Sequence, residues 1–271
     1  LLCRPIYGFV FIFARSLRIF RNADILVSII HFSALMDLPR RHHRYYDLIL
    51  TAFVVILLCS NFIGAGKAAV IDLPYFGSVP FGGGILFFPI AYFFGDILTE
   101  VYGYAYDRRA VWAGFAALAF AAIMAQIVIA LPVAPGDYMA NYQKGLETVF
   151  GNSWRIALAS MFSFWCGSLV NSYVLAKMKV WTQGRFLWMR TIGSTAVGEM
   201  VDSSFFYVLA FYGIWPTHEV IQVALAQYVL KTSWEVLATP MTYWVVNFLK
   251  RKENEDFYDI HTNFTPFRVK V

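Results

Sequence analysis

FFPIAYFFGDILTEVYG, residues 87–103, sets two carboxylates, Asp96 and Glu100, into an otherwise apolar and aromatic run. A spacing of four puts both acids on one face of a helix. The run belongs with the chain's other bilayer-length apolar stretches, and at that depth an ionisable group is costly unless it faces a protein interior or an aqueous cavity. GEMVDSSFF, residues 198–206, repeats the theme with Glu199 and Asp202 three apart. Two acid pairs at membrane depth mark a polar site or an ion path inside a helical membrane protein.

The rest of the chain agrees with that class. Of 271 residues, 59% are hydrophobic, 18% aromatic and only 14% charged, and the mean hydropathy is +0.57. Soluble domains carry about 25% charged residues, so a soluble fold would have to hide too many apolar runs. The net charge of +5 sits beside the apolar runs, where it sets orientation, and does not form a nucleic-acid patch. Cys3, Cys59 and Cys166 have neither disulfide-scaffold nor metal-cluster spacing, and no HExxH motif occurs. No cofactor, metal or catalytic residue is expected.

Six stretches reach the length of about 20 residues that a crossing helix needs: about 47–67, 84–105, 111–131, 154–176, 191–212 and 221–249. Arg40, Arg41 and Arg44 precede the first, and Arg108 and Arg109 join the second and third. Lys177, Lys179, Arg185 and Arg190 join the fourth and fifth, and Lys250, Arg251 and Lys252 follow the sixth. Every second connection is basic, so the positive-inside rule predicts both termini in the cytoplasm and loops 68–83, 132–153 and 213–220 outside. In the first of these loops PFGGGILFFP is expected to enter the membrane partly unwound, near a substrate entrance, or to form a simple turn.

Three regions follow: a basic and apolar extension at 1–44, a six-helix domain at 45–250, and a polar cytoplasmic tail at 251–271 without a strong periodic pattern. The extension reads as interfacial, or as the product of a wrongly placed translation start. The two halves of the central domain echo each other. Asn61 and Lys67 are matched by Asn171 and Lys177, and Gly95-Asp96 with Glu100 is matched by Gly198-Glu199 with Asp202. Three crossings per half make such a duplication a 3+3 inverted repeat, the architecture of alternating access around a midplane site.

The candidate site residues are Asp96, Glu100, Glu199 and Asp202, with Asn61 and Asn171 as amide donors and acceptors. Tyr92, Phe93 and Phe206 are the rings on which a planar heteroaromatic ligand would stack. The alternative for each acid is structural pairing with another helix. Lys231 and Glu235, four apart in the sixth stretch, either neutralise each other or engage acids from facing helices, as a structural ion pair or in a coupling or substrate role, and a proton is the coupling ion considered.

At FFPIAYFFGDILTEVYGYAYDRR (87–109) and GSTAVGEMVDSSFFYVLAFYG (193–213) the chain resembles the queuosine precursor transporter family, also described as a vitamin uptake transporter family. The resemblance covers about residues 47–250. It implies a six-helix protein of the bacterial inner membrane that imports 7-cyano-7-deazaguanine or 7-aminomethyl-7-deazaguanine for tRNA queuosine modification, and not an enzyme. The alternatives are a substrate-binding membrane subunit that needs an energising partner, and an intramembrane hydrolase. Beyond the base and membrane lipids, a homo-oligomer or such a partner is the remaining association considered.

Overall fold

A computed structural model of the chain describes residues 43–64, 68–73, 77–151, 154–214 and 216–268. The expectations for the extension up to residue 42 and for Lys67 lie outside these residues. Among the described residues are seven α-helices and one two-stranded hairpin. Six of the helices form a bundle and match the six apolar stretches: α1 (Tyr46–Cys59), α2 (Phe88–Tyr102), α3 (Tyr104–Ile129), α5 (Trp154–Trp181), α6 (Leu187–Phe211) and α7 (Thr217–Glu253). Three segments, Tyr46–Ile63, Tyr104–Ile129 and Arg155–Trp181, are long and apolar enough to cross a membrane. Apolar side chains such as Leu48, Phe120, Ile127, Leu158, Leu237 and Trp244 stand exposed on the outside. That surface suits lipid better than water.

Two elements were not legible as structure. The expected all-α chain contains a β-hairpin, β1 (Ala68–Leu73) with β2 (Gly77–Gly82), paired antiparallel from Ala68 opposite Gly82 to Leu73 opposite Gly77. Residues 83–86 then make a 3₁₀ turn between the hairpin and the next helix. The loop after α3 contains a surface helix, α4 (Asp137–Phe150), with no buried residue.

α2 is the axis of the bundle, with twelve of its fifteen residues buried. Pro89 suits its first turn, where no helical donor is needed. It ends at Gly103, whose φ of +93° is open to glycine and where a Cβ would stand 2.3 Å from the Phe257 ring. α5 and α6 cross at Gly167 and Gly198. A Cβ on Gly198 would meet the Asn171 Cβ at 2.7 Å and the Gly167 carbonyl at 2.9 Å. Small residues at a crossing allow this backbone approach, and it brings Asn171 and Asp202 into the centre.

Candidate functional site

A cavity of about 500 Å³ lies between residues 60–62 just after α1, the C-terminal halves of α3 and α6, and the N-terminal halves of α2, α5 and α7. Asn61, Phe88, Ser203, Phe206 and Tyr207 line it, together with Asp202 and Lys231. The Lys231 ammonium bonds Glu199 Oε2 and Asp202 Oδ2, each at 2.8 Å, and lies 4.4 Å from the centre of the Phe88 ring. Glu199 is almost fully buried behind this pair. Lys231 therefore pairs with the acids of the facing helix α6, one of the two arrangements that the spacing of four on α7 allowed, and not with Glu235. Two carboxylates that converge from the facing helix offer a better site than one neighbour on the same helix.

Deeper still, Asn171 Nδ2 donates to Asp96 Oδ1 at 2.7 Å. Asp96 Oδ2, Glu199 Oε1 and both oxygens of Glu235 have no hydrogen-bond partner, and Asp96 and Glu235 are wholly buried. Glu235 is the electrostatic neighbour of both Asp96 and Glu199. Asp107, at the start of α3, is fully buried, accepts a short bond from the Ser172 hydroxyl and interacts with Asp96. The sequence reading missed it, because Asp107 looked like part of a basic connection.

Glu100 lies elsewhere. Its Oε1 receives Arg190 Nη2 at 2.7 Å and Lys250 Nζ at 2.6 Å, with Lys179 Nζ at 3.5 Å. This cluster sits at the bundle end opposite the cavity, where the α2, α5 and α7 C-termini meet the α6 N-terminus. The spacing from Asp96 to Glu100 is right for one helix face, yet one turn of about 6 Å separates a polar interior from a ring of cations. The three cations were read only as orientation signals.

The C-terminal tail closes the same end and is docked. Asp256 Oδ1 accepts from Lys179 at 2.6 Å and Lys250 at 2.8 Å. Phe257 N–H donates to the Val101 carbonyl at 3.3 Å. Asp259 accepts the Tyr104 N–H at 3.1 and 3.2 Å, capping the α3 N-terminus. Arg108 donates to the carbonyls of Asn263 and Thr265 at 2.7 and 3.0 Å, and Trp112 to that of Pro266 at 2.9 Å. Glu253 caps α1 through the Arg44 and Tyr45 amides at 2.9 and 2.6 Å. Burial would raise the Glu253 carboxyl, but these amides and the Tyr102 hydroxyl hold it below its ordinary value.

Of the residues singled out from sequence, the structure brings Asn61, Asp202, Phe206 and Lys231 to the cavity. Glu199, Asp96, Asn171 and Glu235 lie behind it as a buried polar layer. Tyr92 is buried with them, its hydroxyl close against Gly167. Phe93 packs in the hydrophobic core, edge-on to Phe94, and Glu100 belongs to the opposite end. Phe88, Ser203 and Gln227 also line the cavity. The two asparagines of the internal echo are not equivalent in bonding. Asn171 binds an acid of the other half, whereas Asn61 Oδ1 accepts from Ser160 at 3.2 Å.

Residues 82–245, which hold both acid pairs, Lys231 and Glu235, match the family model described as "Putative vitamin uptake transporter". The "Probable queuosine precursor transporter" of Bacillus subtilis (strain 168) is 29% identical over 220 residues, 81% of this chain and 91% of that protein. The "Queuosine precursor transporter" of Escherichia coli (strain K12) is 22% identical over 175 residues, 62% of this chain and 74% of that protein. No solved structure gives a significant match. With more than half of its length matched, the chain belongs to this family of membrane transporters, which are not enzymes.

Proposed function

We propose that this chain imports a queuosine precursor, 7-cyano-7-deazaguanine or 7-aminomethyl-7-deazaguanine, across the bacterial inner membrane. The reading rests on one observation: an ammonium held between two carboxylates at the floor of an aromatic-sided cavity. A guanine-like edge presents N–H donors beside a carbonyl acceptor. Asp202 or Glu199 accepts from the donors, Lys231 donates to the carbonyl, and Phe88 or Phe206 supports the ring face. The cavity volume falls within the range of about 300–1,000 Å³ usual for small-molecule sites. The relatives' names support the same substrate class.

On this reading all six bundle helices cross the membrane as a 3+3 inverted repeat, with both termini cytoplasmic. The helices run in alternating directions between the cavity end and the tail end, which suits six crossings. The cavity then faces outward, and Glu100 with its three cations and the docked tail seals the cytoplasmic side. Import requires the two halves to rock so that the seal opens as the cavity closes.

The test is uptake of labelled 7-cyano-7-deazaguanine by sealed proteoliposomes. Lys231→Gln leaves two buried carboxylates without their cation. Losing one partner of a buried charged contact costs about 2–5 kcal/mol, so uptake at low substrate concentration should fall about thirtyfold or more. Unchanged uptake by folded K231Q protein would exclude this site.

A further inference from the structure

Glu235 is wholly buried in the middle of α7, and neither of its carboxyl oxygens has a hydrogen-bond partner. The cation one turn before it on the same helix is engaged elsewhere, since Lys231 bonds Glu199 and Asp202. α7 packs against α6, α2 and the 3₁₀ turn before α2. From α6 the titratable groups nearby are Glu199 and Asp202; from α2 they are Asp96 and, within its electrostatic reach, Glu100 and Tyr92. Asp107 of α3 interacts with Asp96 from the far side.

Among the described residues, the layer between α2, α6 and α7 thus holds four carboxyl groups, Asp96, Glu199, Asp202 and Glu235, against the ammonium of Lys231, with Asp107 beyond Asp96 on α3. With every group ionised the layer would carry a net charge of minus three. An unpaired buried carboxylate is strongly destabilising, and like charges at close range repel even where the surroundings screen them in part. Asn171 relieves Asp96 and Lys231 relieves the α6 pair. Among the described residues no group relieves Glu235, so a bound proton is what removes its charge.

We propose that Glu235 carries the proton that moves with the transported solute, binding it while the cavity faces outward and releasing it when the opposite end opens. Glu199, on the facing helix and bound to the cavity-lining ammonium, is the electrostatic neighbour of Glu235, and Asp202 beside it lines the cavity. One O–H bond forms on a carboxyl oxygen and is later broken to water, and no other covalent change occurs. With a neutral base, each cycle moves one positive charge inward, so uptake is driven by an inside-negative potential as well as by a proton gradient. The inference takes its solute from the reading above, but the residue and its proton do not depend on that identity.

Two measurements test it. Infrared spectra of the ligand-free protein at neutral pH should show a protonated carboxylic acid band that Glu235→Gln removes. If the wild-type and E235Q spectra coincide there, Glu235 holds no proton and the proposal fails, whatever the solute. In proteoliposomes, E235Q should lose the stimulation by an inward proton gradient, roughly tenfold or more by the cost of a buried charge, while exchange of labelled base at equal concentrations persists. Retained stimulation overturns the proposal. Loss of exchange in folded protein overturns it too, because Glu235 would then bind the base. Should E235Q fail to fold, Glu235→Asp is read instead, and must keep both the infrared band and a gradient response. Absence of any base uptake by the wild type, with the band present, would refute the solute and leave the proton assignment standing.

Discussion

Replacing Glu100 by Gln separates a role in sealing from a role in binding. The Glu100 carboxylate is fully buried, and Oε1 is met by Arg190, Lys250 and Lys179 at 2.7, 2.6 and 3.5 Å. Glu100→Gln keeps size and one acceptor oxygen but removes the charge, leaving Lys179 and Lys250 to Asp256 and Arg190 to the Arg185 carbonyl and the Thr182 hydroxyl. Two of them, Lys179 and Arg190, are 1% exposed and cannot recover their loss from water. Removing one partner of a buried pair costs about 3–5 kcal/mol. Lys250, 21% exposed, regains part of its hydration, so about 3 kcal/mol is expected. For a chain of this size that lowers the thermal midpoint by about 6–12 °C. The assay is thermal unfolding of purified protein, together with equilibrium binding of labelled base. E100Q should be less stable yet bind base within about twofold, and E100Q with Lys250→Met should recover part of the loss, the coupling that a double-mutant cycle measures. A midpoint within 2 °C of wild type, with binding lost, would refute the argument and return Glu100 to the base site.

The α5–α6 crossing should not tolerate a methyl group. Gly198→Ala puts a Cβ 2.7 Å from that of Asn171 and should cost about 1–3 kcal/mol by overpacking, read as a lowered thermal midpoint. Gly145→Ala on α4, where a Cβ meets nothing within 4 Å, should leave the midpoint unchanged or slightly raised. The tail gives a pH prediction. Burial would raise the Asp256 carboxyl, but the hydrogen bonds and charges of Lys179 and Lys250 outweigh it and hold the group below its ordinary value. A depressed folded-state value means that the contribution is complete above the ordinary carboxylate range, about 3.9, and disappears as pH falls through the lower folded value. Stability titrated downward from neutral pH should therefore fall in that acidic window for wild type, and less steeply for Asp256→Asn.

The helices were legible because bilayer length and apolar composition fix them with little help from tertiary contacts. The acid pairs were legible because a charge in an apolar run has few explanations. What the chain could not disclose is which partner each charge meets. Lys231 and Glu235 are well spaced for each other on α7, but a bundle interior offers a lysine every facing helix, and two carboxylates on α6 outcompete one neighbour on α7. Glu100 shares a face with Asp96, yet its neighbours come from α5, α6 and α7, far away in sequence. The tail's Phe257, Phe264 and Phe267 lack periodicity because they fit separate helix ends, and no periodic pattern signals that kind of docking. Phe257 packs at Gly103, Phe264 on Tyr104 and Tyr173, and Phe267 on Trp112 and Trp165.

The two charged clusters are joined by the helices that bear them. α6 carries Arg190 at the sealed end and Glu199 with Asp202 at the cavity floor, nine residues and about 14 Å apart along its axis. α2 carries Glu100 at the seal and Asp96 in the interior layer. A tilt of α6 against α2 that separates Arg190 from Glu100 must also move Glu199 and Asp202 relative to Asp96, since packed helices shift as rigid bodies. Moving an equilibrium from 1:99 to 99:1 takes about 5.5 kcal/mol, and the Glu100 cluster alone accounts for about 3–5 kcal/mol of what must be overcome. The opposing gain has to arise at the other end of the same two helices, where a ligand and a proton together would meet the surplus of carboxylates around Lys231. On the proposed function, the seal holds while that surplus is unmet, and opening without a bound solute, which would leak protons, is disfavoured by the same charges that would make binding favourable.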